Sequence, residues 1–229
     1  PVITTGDLDG RVFSLSDDSN WLLFTRSSKK KPEEEINSLW MANIAVRNPQ
    51  PISLRVMNVV HFADWMPGKA LRVAFSTVEP RATAPGWQAN NDLILLTVND
   101  TGGILSRDEI ITASSGGIYG WWGTTYACSS DGREIAYARP DSIGIVDITN
   151  KQLVPLLDII PFQTRSDWAW VPGISWSPDN QVIYTVNHTP MTGLTSAEVS
   201  PLFDFIGVVV NEDQPITLVA PVGMFAYPA

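Results

Sequence analysis

Cysteine is almost absent: Cys128 is the only one in 229 residues, so no disulfide can form within the chain. A chain of this size needs no such staple, because folding buries roughly 70% of its unfolded surface. A lone thiol becomes a nucleophile when a basic partner activates it. Cys128 lies in Thr125-Tyr126-Ala127-Cys128-Ser129, which reads as an inner strand, so a buried, inert side chain is expected. Histidine is nearly as scarce. His61 and His188 fall in different repeats with no Cys or His beside them, whereas zinc needs three or four clustered ligands. Both are expected to be structural, and no metal or other cofactor is expected.

Positive charge is also short, with 15 basic residues against 24 acidic and a net charge of −9. Nucleic-acid binders carry a basic stripe to neutralise phosphates. Here the one basic run, Lys29-Lys30-Lys31, is answered at once by Glu33-Glu34-Glu35, which reads as a solvated loop that cancels itself. No nucleic-acid partner is expected. No apolar run approaches the ~20 residues of a membrane helix, so no transmembrane segment is expected. The chain starts at Pro1 and not Met, which reads as an excised or mature piece of a longer protein.

Familiar catalytic motifs are missing too. There is no Gly-x-Ser-x-Gly elbow. Gly102-Gly103 and Gly116-Gly117 lack the Lys of a phosphate loop and read as turns. Asp7-Leu8-Asp9-Gly10 opens like a calcium loop, but no Glu follows at the required distance. No catalytic residue is therefore expected in this chain. Paired carboxylates for glycoside cleavage can come from different repeats, so that chemistry stays open.

What is present is repetition. Four times an apolar strand ends in a tight turn and a second apolar strand follows. The turns sit at Ser16 to Asn20, Met66 to Lys69, Ser129 to Gly132 and Ser177 to Asn180. Taking Asp18, Gly68, Gly132 and Asn180 as equivalent, the spacings are 50, 64 and 48. Pro presets the first corner, Asp bonds its own backbone, and Gly or Asn tolerates positive φ. Third strands follow at Ser38 to Ile44, Asp92 to Val98, Ser142 to Ile148 and Phe203 to Val210. Shorter fourth strands follow at Pro51 to Leu54, Glu109 to Thr112, Leu153 to Leu157 and Pro215 to Val219. The second and third strands are nearly continuous apolar runs, which means burial on both faces, as stacked blades provide.

The expected fold is therefore all-β: a single β-propeller domain, 1–229, of four-stranded antiparallel blades. Complete blades are placed at about 11–56, 59–113, 123–159 and 173–220. Pro1 to Thr5 resembles a fourth strand and Met224 to Pro228 a first strand, giving partial blades at 1–5 and 223–229. An incomplete ring leaves edges open, so self-association through blade edges is also expected. The Ser-Pro-Asp-Gly type turn before an apolar strand, best at Ser129 to Gly132 and Trp176 to Asn180, resembles the TolB-type propeller repeat, a relative of the WD repeat. The second copy departs, with Met66-Pro67-Gly68 lacking the Asp. The resemblance implies a ring of roughly six to eight blades and a bacterial periplasmic, cell-surface or secreted setting, and it implies no single activity.

Long connections gather at one end of each blade: Ser27 to Asn37, Glu79 to Asn91, Ser114 to Trp122, Ile160 to Pro172 and Asn187 to Leu202. Loops on a rigid scaffold are the usual place for function. Five of nine tryptophans lie in them, namely Trp87, Trp121, Trp122, Trp168 and Trp170, and these are the candidate ligand-binding residues. Trp21, Trp40, Trp65 and Trp176 lie in or beside strands and read as core. The expected function is a non-catalytic module that holds a protein, peptide or glycan. The alternatives are the propeller domain of a larger hydrolase or sugar-processing enzyme, and a structural repeat completed by a neighbouring chain.

Overall fold

A computed structural model of the chain describes residues 12–26, 38–56, 59–82, 87–114, 123–162, 169–190, 200, 202–212 and 214–228. Among these residues all regular structure is strand. It forms four antiparallel sheets, each with its strands in sequence order. The chain divides into two compact units, Pro1–Ser115 and Gly116–Ala229.

The first unit holds two blades. The first blade is β1 (Val12–Leu15), β2 (Trp21–Arg26), β3 (Ser38–Asn43) and β4 (Ile52–Ser53). The second is β5 (Val59–Met66), β6 (Leu71–Pro80), β8 (Leu93–Val98) and β9 (Ile104–Ile111), with β7 (Trp87–Ala89) paired to the end of β6. One apolar face of each blade meets the other. Trp21, Leu23, Leu39, Met41 and Leu54 pack with Ala63, Trp65, Val73, Phe75 and Leu96 in one core. Period-two alternation explains the set, because Ala63↔Phe75 and Trp65↔Val73 are cross-strand partners and so share a face.

The second unit repeats the design. Its blades are β10 (Thr125–Cys128), β11 (Ile135–Ala138), β12 (Ser142–Asp147) and β13 (Gln152–Asp158), then β14 (Ile174–Trp176), β15 (Val182–His188), β16 (Phe203–Val209) and β17 (Ile216–Val222). Ala136, Ala138 and Ile143 of one blade meet Ile174, Ile183, Ile206 and Val208 of the next. The Trp176 indole N–H crosses between them and donates to the Ala127 carbonyl at 2.9 Å. Every residue of β11 is buried, as a strand covered on both faces requires. Gly144 is needed where β13 crosses β12. A Cβ there would collide with the Val154 carbonyl oxygen and lie 2.9 Å from both Pro155 Cα and the Tyr137 ring.

The expected blades are present, with four differences. The outer strands β9, β13 and β17 are longer than the sequence suggested, because exposed strands carry little apolar signal: β9 spans Ile104–Ile111 and contains Ser106, Arg107, Asp108 and Glu109. The connection Glu79 to Asn91 is not all loop, since it holds the end of β6 and all of β7. Met224 to Pro228 is not a strand. The Ala226 N–H turns back to the Gly223 carbonyl, and Met224 and Ala226 pack beside Phe203. Cys128 is half-buried and not buried. Residues 1–5 lie outside the described residues.

Candidate functional site

The second blade departs from the plain pattern at the end opposite its tight turn. The register of β5 against β6 slips between Val60 and Phe62, which makes His61 the extra residue of a bulge. Bulges re-aim side chains and are common beside functional sites. Beyond that point β6 runs on and turns back as β7, pairing Val78↔Ala89, Glu79↔Gln88 and Pro80↔Trp87. The two irregularities bring His61 and Trp87 together, with ring centroids 5.5 Å apart and planes tilted by 36°. Both rings are half-buried, so the pair keeps an accessible surface.

A polar knot fixes the hairpin that carries Trp87. Asp92, 4% exposed, accepts the Thr77 backbone N–H and the Thr77 hydroxyl, each at 2.7 Å. The Asn90 amide donates to the same hydroxyl at 2.8 Å, and the Asn90 N–H donates to the Thr77 carbonyl at 3.0 Å. Burial pushes the Asp92 carboxyl above the ordinary carboxylate range. The Thr77 hydrogen bonds oppose that shift, and the Glu109 charge adds to it. Two buried side-chain atoms of the same hairpin have no hydrogen-bond partner: Ser76 Oγ and Gln88 Oε1. Native structures leave few such atoms, and each calls for an explanation.

Of the other four tryptophans singled out by the sequence, one is among the described residues. Trp121, Trp122 and Trp168 lie outside the described residues. Trp170, in the second unit, is 4% exposed and packs edge-on against Phe203 with centroids 5.0 Å apart, which makes it a core ring in this structure. Trp21 and Trp65 are buried, while Trp40 and Trp176 are half-buried. His188 ends β15 fully enclosed, with both ring nitrogens on backbone carbonyls, which fits the structural role expected of it. His61 was missed as a partner of Trp87. A bulge leaves no mark in the hydrophobic pattern, and only the three-residue β7 after a Pro-rich stretch could have hinted at it.

Among the described residues no group of three His, Cys, Asp or Glu side chains could hold a metal ion, and no helix is long and apolar enough to cross a membrane. What the His61–Trp87 pair can do is stack. A rigid aromatic shelf takes the ring of a proline or aromatic side chain, or the apolar face of a sugar.

Four-stranded antiparallel sheets joined face to face in this way are β-propeller blades, and solved structures agree. The chain matches the crystal structure of puromycin hydrolase at TM-score 0.56 and 15% identity, covering 92% of this chain and 29% of that one. It matches a Mycobacterium tuberculosis puromycin-hydrolyzing peptidase at TM-score 0.54 and 13% identity, covering 93% and 30%. The β-propeller domain of the Trilobed protease from Pyrococcus furiosus, described as having an open velcro topology, matches at TM-score 0.52 and 10% identity, covering 92% and 57%. The chain thus spans under a third of the two puromycin-hydrolysing proteins. Identities this low establish the fold and nothing finer. No family model matches the sequence, and no curated protein does.

Proposed function

We propose that this chain is a non-catalytic recognition propeller that holds a peptide or glycan on the His61–Trp87 shelf. The observation that carries the reading is the combination of a bulge and an added hairpin in one blade. Both stand outside the repeat, and together they set two half-buried rings 5.5 Å apart. The buried Asp92 supports the reading as well. Enclosing a carboxylate costs stability, and here it serves to hold the hairpin rigid. The TolB-type resemblance of the turns favours a bacterial envelope or exported setting.

A second reading is that the propeller belongs to a larger hydrolase. It is favoured by the three structural neighbours, whose names are those of peptidases or hydrolases and whose chains are longer than the part matched. The two readings share a role for the propeller and differ in what adjoins it.

The test is binding by calorimetry to panels of short peptides, with and without proline or aromatic residues, and to oligosaccharides. Replacing an aromatic hot spot costs roughly 2 kcal/mol or more. Trp87→Ala is therefore expected to weaken the best probe about thirtyfold while leaving the fold intact. Unchanged affinity in a folded Trp87→Ala protein removes the shelf. Hydrolysis of the same peptides by a longer protein that contains this chain, but not by this chain, selects the second reading.

A further inference from the structure

The two units build the same kind of seam differently at the end that carries the tight turns. Between blades three and four the seam is zipped. The Trp176 indole N–H donates to the Ala127 carbonyl at 2.9 Å, and Asn180 Oδ1 accepts the Ser130 N–H and hydroxyl at 2.9 and 3.0 Å. Between blades one and two, Trp65 holds the like place near the end of β5, in the core shared with blade one. It is 4% exposed, yet its indole N–H has no acceptor. Native structures leave few buried donors unbonded, because each has given up a hydrogen bond to water.

At Trp65 the seam opens into a cavity of about 350 Å³. Asp17 and Asp18 line it from the blade-one turn and Lys69 from the blade-two turn, while Trp65, Met66 and Leu71 give it an apolar body. Asp18 is engaged within its own turn. Its Oδ1 accepts the Ser16 hydroxyl at 2.6 Å and the Asn20 N–H at 3.1 Å, and its Oδ2 accepts the Asn20 amide at 2.7 Å. Asp17 is therefore the carboxylate open to a new partner. Asp17 and Lys69 are both exposed, and among the described residues no ion pair joins them.

The cavity thus offers one cation, one uncommitted carboxylate, an indole N–H short of an acceptor and an apolar wall. A ligand with a positive charge alone would leave Lys69 opposed to it, and an anion alone would meet the two aspartates. A zwitterion answers both. Its volume is near the small end of the roughly 300–1,000 Å³ of small-molecule sites. We propose that the cleft between the first two turns binds a free amino acid with an apolar side chain. The ligand carboxylate takes Lys69 and the Trp65 N–H, its ammonium takes Asp17, and its side chain lies on Met66 and Leu71. This inference is independent of the ligand shelf, which lies at the opposite end of blade two.

The test is calorimetry of the whole chain with L-leucine, L-methionine and L-phenylalanine at up to about 10 mM. At least one should bind, and its N-acetyl and amide derivatives, each lacking one charge, should bind about tenfold more weakly or worse. Asp17→Asn and Lys69→Gln, both at exposed positions, should each weaken binding about fivefold and leave the thermal midpoint unchanged. In 15N NMR the Trp65 indole N–H should move downfield and exchange more slowly as the site fills. That signal is assigned by Trp65→Phe or, if the variant does not fold, by through-bond experiments on the parent. The proposal is overturned by no binding of all three, by blocked derivatives that bind equally well, or by binding that ignores both variants. A response at the Trp87 indole in place of Trp65 puts the ligand on the shelf and also overturns it.

Discussion

Blades one, three and four close their first hairpin with a serine–aspartate clamp, and blade two turns on a proline and a glycine. In the former, a serine hydroxyl donates to the aspartate two residues on: Ser16 to Asp18 at 2.6 Å, Ser129 to Asp131 at 2.7 Å and Ser177 to Asp179 at 2.5 Å. The same hydroxyl accepts the N–H where the next strand begins, from Trp21, Glu134 or Val182, at 2.9 to 3.0 Å. Blade two has Met66-Pro67-Gly68 instead, with Gly68 at φ +130° and the Arg72 guanidinium reaching the Pro67 carbonyl at 3.5 Å. The comparison shows that the repeat conserves a shape and not a residue. Either a hydroxyl–carboxylate clamp or a proline followed by a left-handed glycine delivers it.

The largest effect should come from breaking a clamp. Ser129 is wholly buried, and its hydroxyl serves Asp131 and the Glu134 N–H together. Ser129→Ala leaves that N–H without its acceptor, so it should cost about 2 kcal/mol of stability in chemical denaturation. Adding Asp131→Ala should cost much less than it does alone, because the pair acts as one clamp. Full additivity would mean that the two side chains work separately.

A smaller effect should follow from stressing the turn without a clamp. A Cβ on Gly68 would find room, since its nearest neighbour is an Arg72 terminal nitrogen at 3.9 Å, but φ +130° disfavours any L side chain. Gly68→Ala should lose about 1 kcal/mol by backbone strain alone. No loss would mean that the turn relaxes to another form. Asn180 at φ +58° shows the other solution, in which a non-glycine residue tolerates the left-handed region and its side chain binds the Ser130 N–H of the preceding blade at 2.9 Å.

These turns were legible in the sequence because their chemistry is local. Ser, Asp, Pro, Gly and Asn each act on their own backbone within a few residues. The second and third strands were legible because burial on both faces writes unbroken apolar runs, as in Leu93 to Val98. The outer strands were legible in place but not in length, since β17 pairs on one side only and its sequence carries no period that marks where strand gives way to loop. The candidate site was the least legible. Trp87 could be named from residue type and loop position, but its partner depends on a one-residue slip at His61, which is decided by pairing between β5 and β6. Trp170 has the same residue type and a similar position, yet it is core, because Phe203 and Val186 happen to meet it there.

The smallest effect, and the one that separates the two kinds of turn most sharply, is the response to acid. Asp18, Asp131 and Asp179 are held below the ordinary value of 3.8, in each case chiefly by the serine hydroxyl and then by a backbone N–H. A carboxyl whose folded value is depressed contributes stability that is full above 3.8 and is lost as pH falls through the lowered values. Blade two has no such clamp. Its nearest acid, Asp64 on β5, is raised by burial, with hydrogen bonds from Ser14 and the Trp65 backbone opposing the shift. The sign is then reversed: the charged form of Asp64 costs stability above its raised value, and that cost fades as pH falls toward 3.8. Thermal denaturation followed from neutral pH into acid should therefore show two opposite trends. Asp131→Asn should be less stable than the parent at neutral pH, with the gap closing below 3.8. Asp64→Asn should start with its greatest relative stability at neutral pH, and the parent should catch up before 3.8 is reached. Parallel curves for the two variants would mean that the clamped and unclamped turns do not differ in their electrostatics, and the distinction between them would reduce to backbone shape.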